Sequence, residues 1–158
     1  LLENKLIGVR ESHRLVFTVQ AETWNMGKVL KKIGWPVIVK PETKFYREFK
    51  KRINSISWIR IENLSVPGTP DLLGYNNNCT FFTVELKYTK TNKVTLSPHQ
   101  IAFHVKHPTN TFIIVLDASL MLPKLYEGSR VQKLAACGLK LEPCVTGYDA
   151  CRLKLEGL

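Results

Sequence analysis

The chain has 158 residues, of which 44% are hydrophobic and 23% are charged, and this composition excludes an extended disordered protein. Lys and Arg number 23 against 13 Asp and Glu, so the formal net charge is +10 and favours a polyanionic partner, either nucleic acid or an anionic membrane surface. No apolar stretch approaches the roughly 20 residues of a membrane-spanning helix, so we expect one globular domain without a membrane segment.

Residues 1–40 carry no recognisable chemical signature, and we treat them as an accessory segment. They contain a β-like run, RLVFTVQ (14–20), a predicted helix over 22–33 that ends at Gly34, and a short apolar run, WPVIVK (35–40).

A regular pattern begins at residue 41. PETKFYREFKKRI (41–53) predicts a helix, because Pro and Glu suit a first turn and because Phe45, Phe49 and Ile53 repeat every four residues. Three predicted strands follow, with a turn-forming NNN between the last two: SWIRIENL (57–64), TPDLLGY (69–75) and TFFTVELKYTK (80–90).

A second predicted helix, SPHQIAFHVKH (97–107), has Ser97 as its N-cap and an apolar face of Ile101 and Val105. TFIIVLD (111–117) is a continuous apolar run, typical of a strand buried on both faces, and a further helix is predicted over 129–137. The order from residue 41 is therefore α-β-β-β-α-β. It predicts a mixed α/β fold with a central mixed sheet flanked by helices. We assign 41–117 to the core and 118–158 to a C-terminal extension that packs on it.

The four cysteines lack the two-residue spacing of a zinc knuckle. A domain of this size does not need disulfide bonds, so we expect free thiols in an intracellular protein, although pairing in an oxidising compartment stays open. His104 and His107 are three residues apart on a basic helix without acidic or cysteine neighbours. We interpret both as surface or groove residues rather than zinc ligands.

The strand FFTVELKY carries an acid and a base on one face. Residues two apart on a strand point the same way, so Glu85 and Lys87 project from the face opposite Phe82 and Leu86. The preceding strand of the hairpin can place Asp71 beside them. Two converging carboxylates repel each other unless a cation neutralises them, and such oxygen ligands suit Mg²⁺ or Mn²⁺. The alternative is an exposed Glu–Lys pair, with Asp71 capping a turn.

Taken together, PD at 70–71, ELK at 85–87 and the surrounding GTPDLLGY, FFTVELK and LSPHQIAF resemble the PD-(D/E)xK nuclease superfamily. The likeness is closest to small phage-type and VRR-NUC-like members and to archaeal Holliday-junction resolvases, and it covers residues 41–117. It implies a restriction-endonuclease-like αβββαβ core and a metal-dependent endonuclease that hydrolyses DNA phosphodiester bonds, using Mg²⁺ or Mn²⁺. It also implies an intracellular protein, with a phage as one source.

The resemblance implies roles for individual residues. Asp71 and Glu85 would be metal ligands together with the backbone carbonyl of Leu86, and Lys87 would position or activate the attacking water. These enzymes often carry a further acid on the preceding helix, and three glutamates are candidates for it. Glu42 is favoured because it lies on the inward stripe at the helix start. Glu48 is second, because it fits better as an i,i+4 partner of Lys44 and Arg52, and Glu62 is third.

Gln100 matches a Gln that often follows the ExK strand in these relatives, where it reaches the substrate or the attacking water. The spacing Ser97-x-x-Gln100 also predicts a capping box, and both roles can hold. Gly68 either allows the backbone to approach a metal or phosphate closely or serves a turn.

Basic side chains would hold the DNA backbone, since phosphate contacts give affinity without sequence information. The alternative for any one of them is a solvated helix face, and we expect the three tryptophans in the core rather than as base-stacking platforms. The candidate phosphate-binding residues are Lys44, Arg47, Lys51, Lys90, Lys93, His99 and Lys106.

Three functions stay open. The first is a metal-dependent DNA endonuclease, which could be homing or site-specific, junction-resolving or recombinational. The second is a basic nucleic-acid-binding module without catalysis on the same fold, and the third is a basic protein-interaction domain. Asp71, Glu85 and Lys87 favour the enzyme, because a binding module has no need of converging carboxylates that repel phosphate. Duplex cleavage needs two active sites, so a homodimer is an expectation that the sequence does not show.

Overall fold

The computed structural model describes residues 9–11, 14–16, 39–61 and 66–158. The chain divides into two compact units, Leu1–Lys40 and Pro41–Leu158. In the first unit, strands β1 (Val9–Glu11) and β2 (Arg14–Val16) form an antiparallel pair. The predicted helix over 22–33, most of WPVIVK, and both Trp24 and Trp35 lie outside the described residues.

The second unit is a six-stranded mixed sheet flanked by helices. The strands lie in the order β3-β4-β5-β6-β7-β8, in which β5 and β6 are parallel and the other described pairs are antiparallel. The predicted α-β-β-β-α-β order and the mixed α/β class are therefore confirmed. The elements are α1 (Pro41–Arg52), β3 (Ser57–Arg60), β4 (Leu72–Tyr75), β5 (Phe81–Thr89), α2 (Pro98–Lys106), β6 (Thr111–Asp117), β7 (Leu122–Glu127), α3 (Val131–Cys137), β8 (Val145–Thr146) and α4 (Tyr148–Glu156).

The sheet separates two hydrophobic clusters. On one face, α1 and α4 pack on β3 to β6, and the predicted stripe of Phe45, Phe49 and Ile53 is at most 2% exposed there. Trp58 belongs to the same cluster, as expected, and its indole N–H donates to the carbonyl of Ile53 at 2.8 Å. On the other face, side chains of β6 and β7 pack with those of α3 and, partly, α2. Because β6 is covered on both faces, all of Thr111–Asp117 is buried, as its continuous apolar run predicts.

The residues after Asp117 extend the same sheet. β7 pairs with β6, β8 pairs with β7, and α4 contributes fully buried Cys151 and Leu155 to the first cluster. The turn between β4 and β5 binds α4 through Asn76, which is 2% exposed and donates from Nδ2 to the carbonyl of Leu155 at 2.9 Å. The four cysteines are free thiols. No helix in the described part of the chain is long and apolar enough to cross a membrane.

The inward face of helix α2 contains Ile101, as predicted, but His104 in place of Val105. Val105 is 51% exposed, whereas His104 is 1% exposed, so the interpretation of His104 as a surface or groove residue is wrong. The i,i+3 spacing from Ile101 places His104 on the inward side, and Gly128 leaves room for its ring, since a Cβ there would lie 2.8 Å from His104 Nδ1. Burial lowers the pKa of His104 to about 4, so the imidazole is neutral and can occupy the interior.

Candidate active site

Strand β5 extends beyond β4, so within the described residues part of its backbone has no neighbouring strand on that side. β4 pairs with β5 as far as Leu72 opposite Val84, whereas β6 runs beside β5 to its end. Asp71 directly precedes β4 at this opening, and its Oδ2 accepts a hydrogen bond from the backbone N–H of Leu86 at 2.8 Å. This bond holds the Asp71 carboxylate against β5, beside Glu85.

Glu85, Lys87 and Gln100 form a hydrogen-bonded triangle. Lys87 Nζ lies 3.0 Å from Glu85 Oε1 and 3.1 Å from Gln100 Oε1. Gln100 Nε2 donates to the same Glu85 oxygen at 2.5 Å. Glu85 and Lys87 on β5 therefore contact each other and Gln100 at the start of α2.

Gln100 also completes the predicted capping box. The backbone N–H of Ser97 donates to Gln100 Oε1 at 3.0 Å, and that of Gln100 donates to Ser97 Oγ at 3.1 Å. The helix cap fixes the Gln100 side chain in the place where it contacts Glu85 and Lys87. The capping box is therefore confirmed, and the same side chain lies beside Glu85 and Lys87, while a contact of Gln100 with substrate or water stays a prediction.

The carboxylates lie in an environment that disfavours their charge. Glu85 is 2% exposed, and its Oε2 accepts no hydrogen bond from the described residues. Burial and then the charge of Asp71 raise the pKa of Glu85 to about 7, against the opposing effect of Lys87. Burial also raises the pKa of Asp71, although the Leu86 N–H and Lys87 oppose this. An exposed surface pair would show neither the burial nor the raised pKa values.

The three candidate helix acids differ in position. Glu42 lies in the exposed first turn of α1, and its charge contributes to the raised pKa values of both Asp71 and Glu85. Glu48 pairs instead with Arg52, at 2.5 Å between Oε1 and Nε. Glu62 lies outside the described residues. Within the described ranges, no three His, Cys, Asp or Glu residues are grouped closely enough to hold a metal ion. Glu42 therefore affects Asp71 and Glu85 through its charge but does not form a three-residue cluster with them.

Gly68 shapes the loop that leads to Asp71. Its φ is +87°, and a Cβ at this position would overlap the carbonyl oxygen of His99 at the start of α2. The glycine therefore allows the loop to pack closely against the helix that carries Gln100, which is a reason for Gly beyond the turn itself.

The candidate phosphate-binding side chains are all exposed, and they occupy three parts of the second unit. Lys44, Arg47 and Lys51 lie along α1, and Lys90 and Lys93 lie in the loop after β5. His99 is at the start of α2, next to Gln100. Lys106 is six residues beyond Gln100 on α2, about 9 Å along the helix axis, and so lies away from the site.

Arg60 is a neighbour of the site that sequence analysis missed. Its charge lowers the pKa of Asp71, and its guanidinium carbon lies 5.2 Å from the ring centroid of Tyr46. The antiparallel register, which the sequence pattern does not give, pairs Arg60 with Leu72, the residue after Asp71.

Comparison with known proteins finds a match among solved structures but none among family profiles or curated sequences. Among solved structures, the Holliday junction resolvase Hjc from the archaeal hyperthermophile Archaeoglobus fulgidus is similar, with 16% sequence identity and a TM-score of 0.46. The match covers 57% of this chain and 75% of that one. The assignment of this chain to a subgroup of nucleases stays a prediction.

Proposed function

We propose that the protein is an intracellular, Mg²⁺- or Mn²⁺-dependent endonuclease that hydrolyses DNA phosphodiester bonds. The observation that carries the proposal is the convergence of Asp71 and Glu85 at the opening beside β5, with the Lys87 ammonium 3.0 Å from Glu85. Two neighbouring carboxylates with raised pKa values are unfavourable for folding, and a bound cation would relieve that cost. The net charge of +10 supports a polyanionic substrate.

The donor atoms fit a hard divalent cation. Carboxylate and carbonyl oxygens are the ligands that Mg²⁺ and Mn²⁺ prefer, and Glu85 Oε2 accepts no hydrogen bond from the described residues. Asp71, Glu85 and the carbonyl of Leu86 would hold the ion, and Glu42 would join them from the start of α1. When bound, the ion supplies positive charge that polarises a phosphate oxygen and lowers the pKa of water.

Lys87 would act on the reacting groups directly, and Gln100 would position Lys87 and Glu85. Within the described residues, Lys87 directs its ammonium to Glu85 and Gln100, so its position is fixed and one further N–H can donate to water or to a phosphate oxygen. Phosphodiester hydrolysis builds negative charge around phosphorus, and a fixed cation stabilises that charge without reorganising. Gln100 holds both Glu85 and Lys87 in place through the cap of α2.

A cleavage assay tests this proposal. Plasmid, branched and single-stranded DNA are incubated with Mg²⁺ or EDTA, using the wild type and the Asp71→Ala and Lys87→Ala variants. We expect cleavage that requires Mg²⁺ and falls by a factor on the order of 10² or more in either variant. Cleavage that survives both substitutions would refute the site. DNA binding without cleavage of any substrate would favour the non-catalytic module, and the substrate cut would separate site-specific from junction-resolving nucleases.

A homodimer belongs to the same proposal, because one active site cuts one strand. The side chains of Ile59, Tyr75 and Phe81 are 59%, 37% and 59% exposed, and the rings of Tyr75 and Phe81 lie 4.5 Å apart. This uncharged patch shares the Glu85 face of the sheet, and it suits a second copy better than a polyanion. Sedimentation equilibrium should detect a dimer that Phe81→Lys dissociates. A wild type that stays monomeric up to high micromolar concentration would contradict it.

A further inference from the structure

The turn between β6 and β7 exposes three consecutive apolar side chains. Leu120, Met121 and Leu122 are 58%, 63% and 40% exposed. Turns favour Gly, Asn, Asp and Ser, and Met121 has a φ of +53°, a left-handed conformation that is unfavourable for a long side chain. Exposed apolar side chains and a strained backbone both lower folding stability. Packing within the described fold therefore does not explain why apolar residues occupy this turn.

Hydrogen bonds and an ion pair of Asp117 nevertheless fix the base of this turn. Asp117, at 7% exposed, accepts hydrogen bonds at Oδ1 from the backbone N–H and the hydroxyl of Ser119, at 3.0 Å and 2.5 Å. Its Oδ2 pairs with Lys124 Nζ at 3.0 Å across the hairpin. These contacts fix the two strands at the base of the turn, and the apolar side chains project from a rigid support.

The turn lies at the same end of the sheet as the candidate active site. The backbone N–H of Ala118 donates to the carbonyl of Thr89, two residues after Lys87, at 2.9 Å. Exposed Lys90 and Lys93 follow directly in the chain. Their loop is fixed in turn to the end of α3, because the carbonyl of Asn92 accepts a hydrogen bond from the backbone N–H of Leu139 at 2.8 Å.

We propose that Leu120, Met121 and Leu122 form an apolar wedge that inserts between stacked bases of DNA bound at the candidate active site. Lys90 and Lys93 contact phosphates beside it. This inference rests on the proposed function and adds a substrate class to it. Leu and Met side chains that enter a base step unstack it and kink the duplex, at the least cost where stacking is already weak. The substrate is therefore duplex DNA with a weakened step, such as a mismatch, bulge, nick or branch.

An anionic lipid surface is the other ligand that would suit an apolar tip beside lysines. DNA is favoured because the turn is joined by one backbone hydrogen bond to the end of the strand that carries Glu85 and Lys87. A membrane contact would need no such continuity with a pair of converging carboxylates.

The wedge is tested by base unstacking in a cleavage-inactive background, Asp71→Ala. Matched and mismatched duplexes carry 2-aminopurine at the central step, and its fluorescence rises when stacking is lost. We expect the full chain to raise the fluorescence of the mismatched duplex, and Leu120→Ser with Met121→Asn to reduce that rise at least fivefold. The preference for mismatched over matched DNA should fall several-fold, whereas the salt dependence of binding should not change, because no phosphate contact is removed.

The variants are chosen to separate wedge loss from unfolding. Asn tolerates a positive φ, and Met121→Gly is a second variant that relieves the strain while it removes the side chain. Leu153→Ser on α4 is the matched control, since Leu153 is 61% exposed and away from the hairpin in sequence. We expect this control to behave as the background protein does. Thermal unfolding midpoints identify any variant that has lost its fold.

Each contrary outcome has a separate meaning. A fluorescence rise that is unchanged in the double variant and in Met121→Gly overturns the wedge, as does a DNA complex of the background protein that shows no rise. Binding to vesicles with anionic lipid that depends on Leu120 and Met121, without any effect of these residues on DNA, overturns it in favour of a membrane contact. Mg²⁺-dependent cleavage by the wild-type chain with a failed wedge leaves the proposed function intact, whereas absence of DNA binding overturns both.

Discussion

At the scale of single residues, the environment of Glu85 differs most from that of an ordinary strand residue. It is 2% exposed, it lies beside a second carboxylate, and its pKa is raised to about 7. Lys87, which opposes this shift, and Gln100 both contact Oε1, whereas Oε2 accepts no hydrogen bond from the described residues. A single buried carboxylate oxygen of this kind is the simplest structural reason to expect a cation here.

The two glutamates of α1 provide a matched test at this scale. We expect Glu42→Gln to lower Mg²⁺-dependent cleavage by about tenfold or more and to lower the pKa of Glu85, because the charge of Glu42 contributes to that raised value. Glu48→Gln should leave both unchanged, since Glu48 pairs with Arg52. Cleavage rates and the Glu85 pKa, from carboxyl-carbon NMR titration, are the measurements. A larger loss from Glu48→Gln would reverse the assignment.

At the scale of elements, helix α2 joins a local motif to the site. Its N-terminus is capped by Ser97 and Gln100, and the same Gln100 side chain contacts both Glu85 and Lys87. The loop before Asp71 packs on this end of the helix through Gly68. The start of α2 therefore sets the relative positions of residues from three segments of the chain.

Capping and site geometry can be separated by two substitutions in this helix. Ser97→Ala removes the side-chain cap but keeps the backbone N–H that binds Gln100, so we expect a loss of about 1 kcal/mol in stability and little change in cleavage. Gln100→Ala should cost similar stability and also lower kcat by about tenfold or more, because Lys87 and Glu85 lose a partner. Urea denaturation and steady-state kinetics give the two quantities. Equal kinetic losses in both variants would mean that Gln100 acts as a cap alone.

At the scale of the whole molecule, one buried imidazole links stability to pH. His104 is 1% exposed with a pKa lowered to about 4, and neither ring nitrogen has a hydrogen-bond partner among the described residues. In the unfolded chain its pKa returns to about 6.5. The unfolded state therefore binds the proton first, and stability falls as the pH drops from about 6.5 to 4.

The expected size of this effect follows from the pKa difference. One pKa unit corresponds to about 1.4 kcal/mol, so His104 should contribute a loss of up to about 3 kcal/mol in the free energy of unfolding between pH 7 and 4. Urea denaturation of wild type and His104→Leu across this range isolates the contribution from that of the carboxylates. His107→Leu is the control, because His107 is exposed. A His104→Leu profile parallel to that of the wild type would contradict the prediction.

Features that depend on near neighbours in the chain were accessible from the sequence alone. The helix over 41–52 follows from the four-residue repeat of its apolar side chains, and the capping box follows from Ser97 and Gln100 three residues apart. The common face of Glu85 and Lys87 follows from strand alternation. The α-β-β-β-α-β order follows from the succession of these patterns, because local periodicity and caps report the type of an element.

Features that depend on how elements meet were decided only by the tertiary structure. The burial of Glu85 requires α2 to pack near that face of β5. The hydrogen bond from the Leu86 N–H to Asp71 depends on where β4 ends beside β5. The direction of a nine-residue helix against the sheet buries His104 instead of Val105. Sequence periodicity identifies a face but not what will cover it, since coverage is set by contacts between residues distant in the chain. That is why the strand pattern indicated an acid–base pair, and only the fold gave Glu85 its burial and its raised pKa.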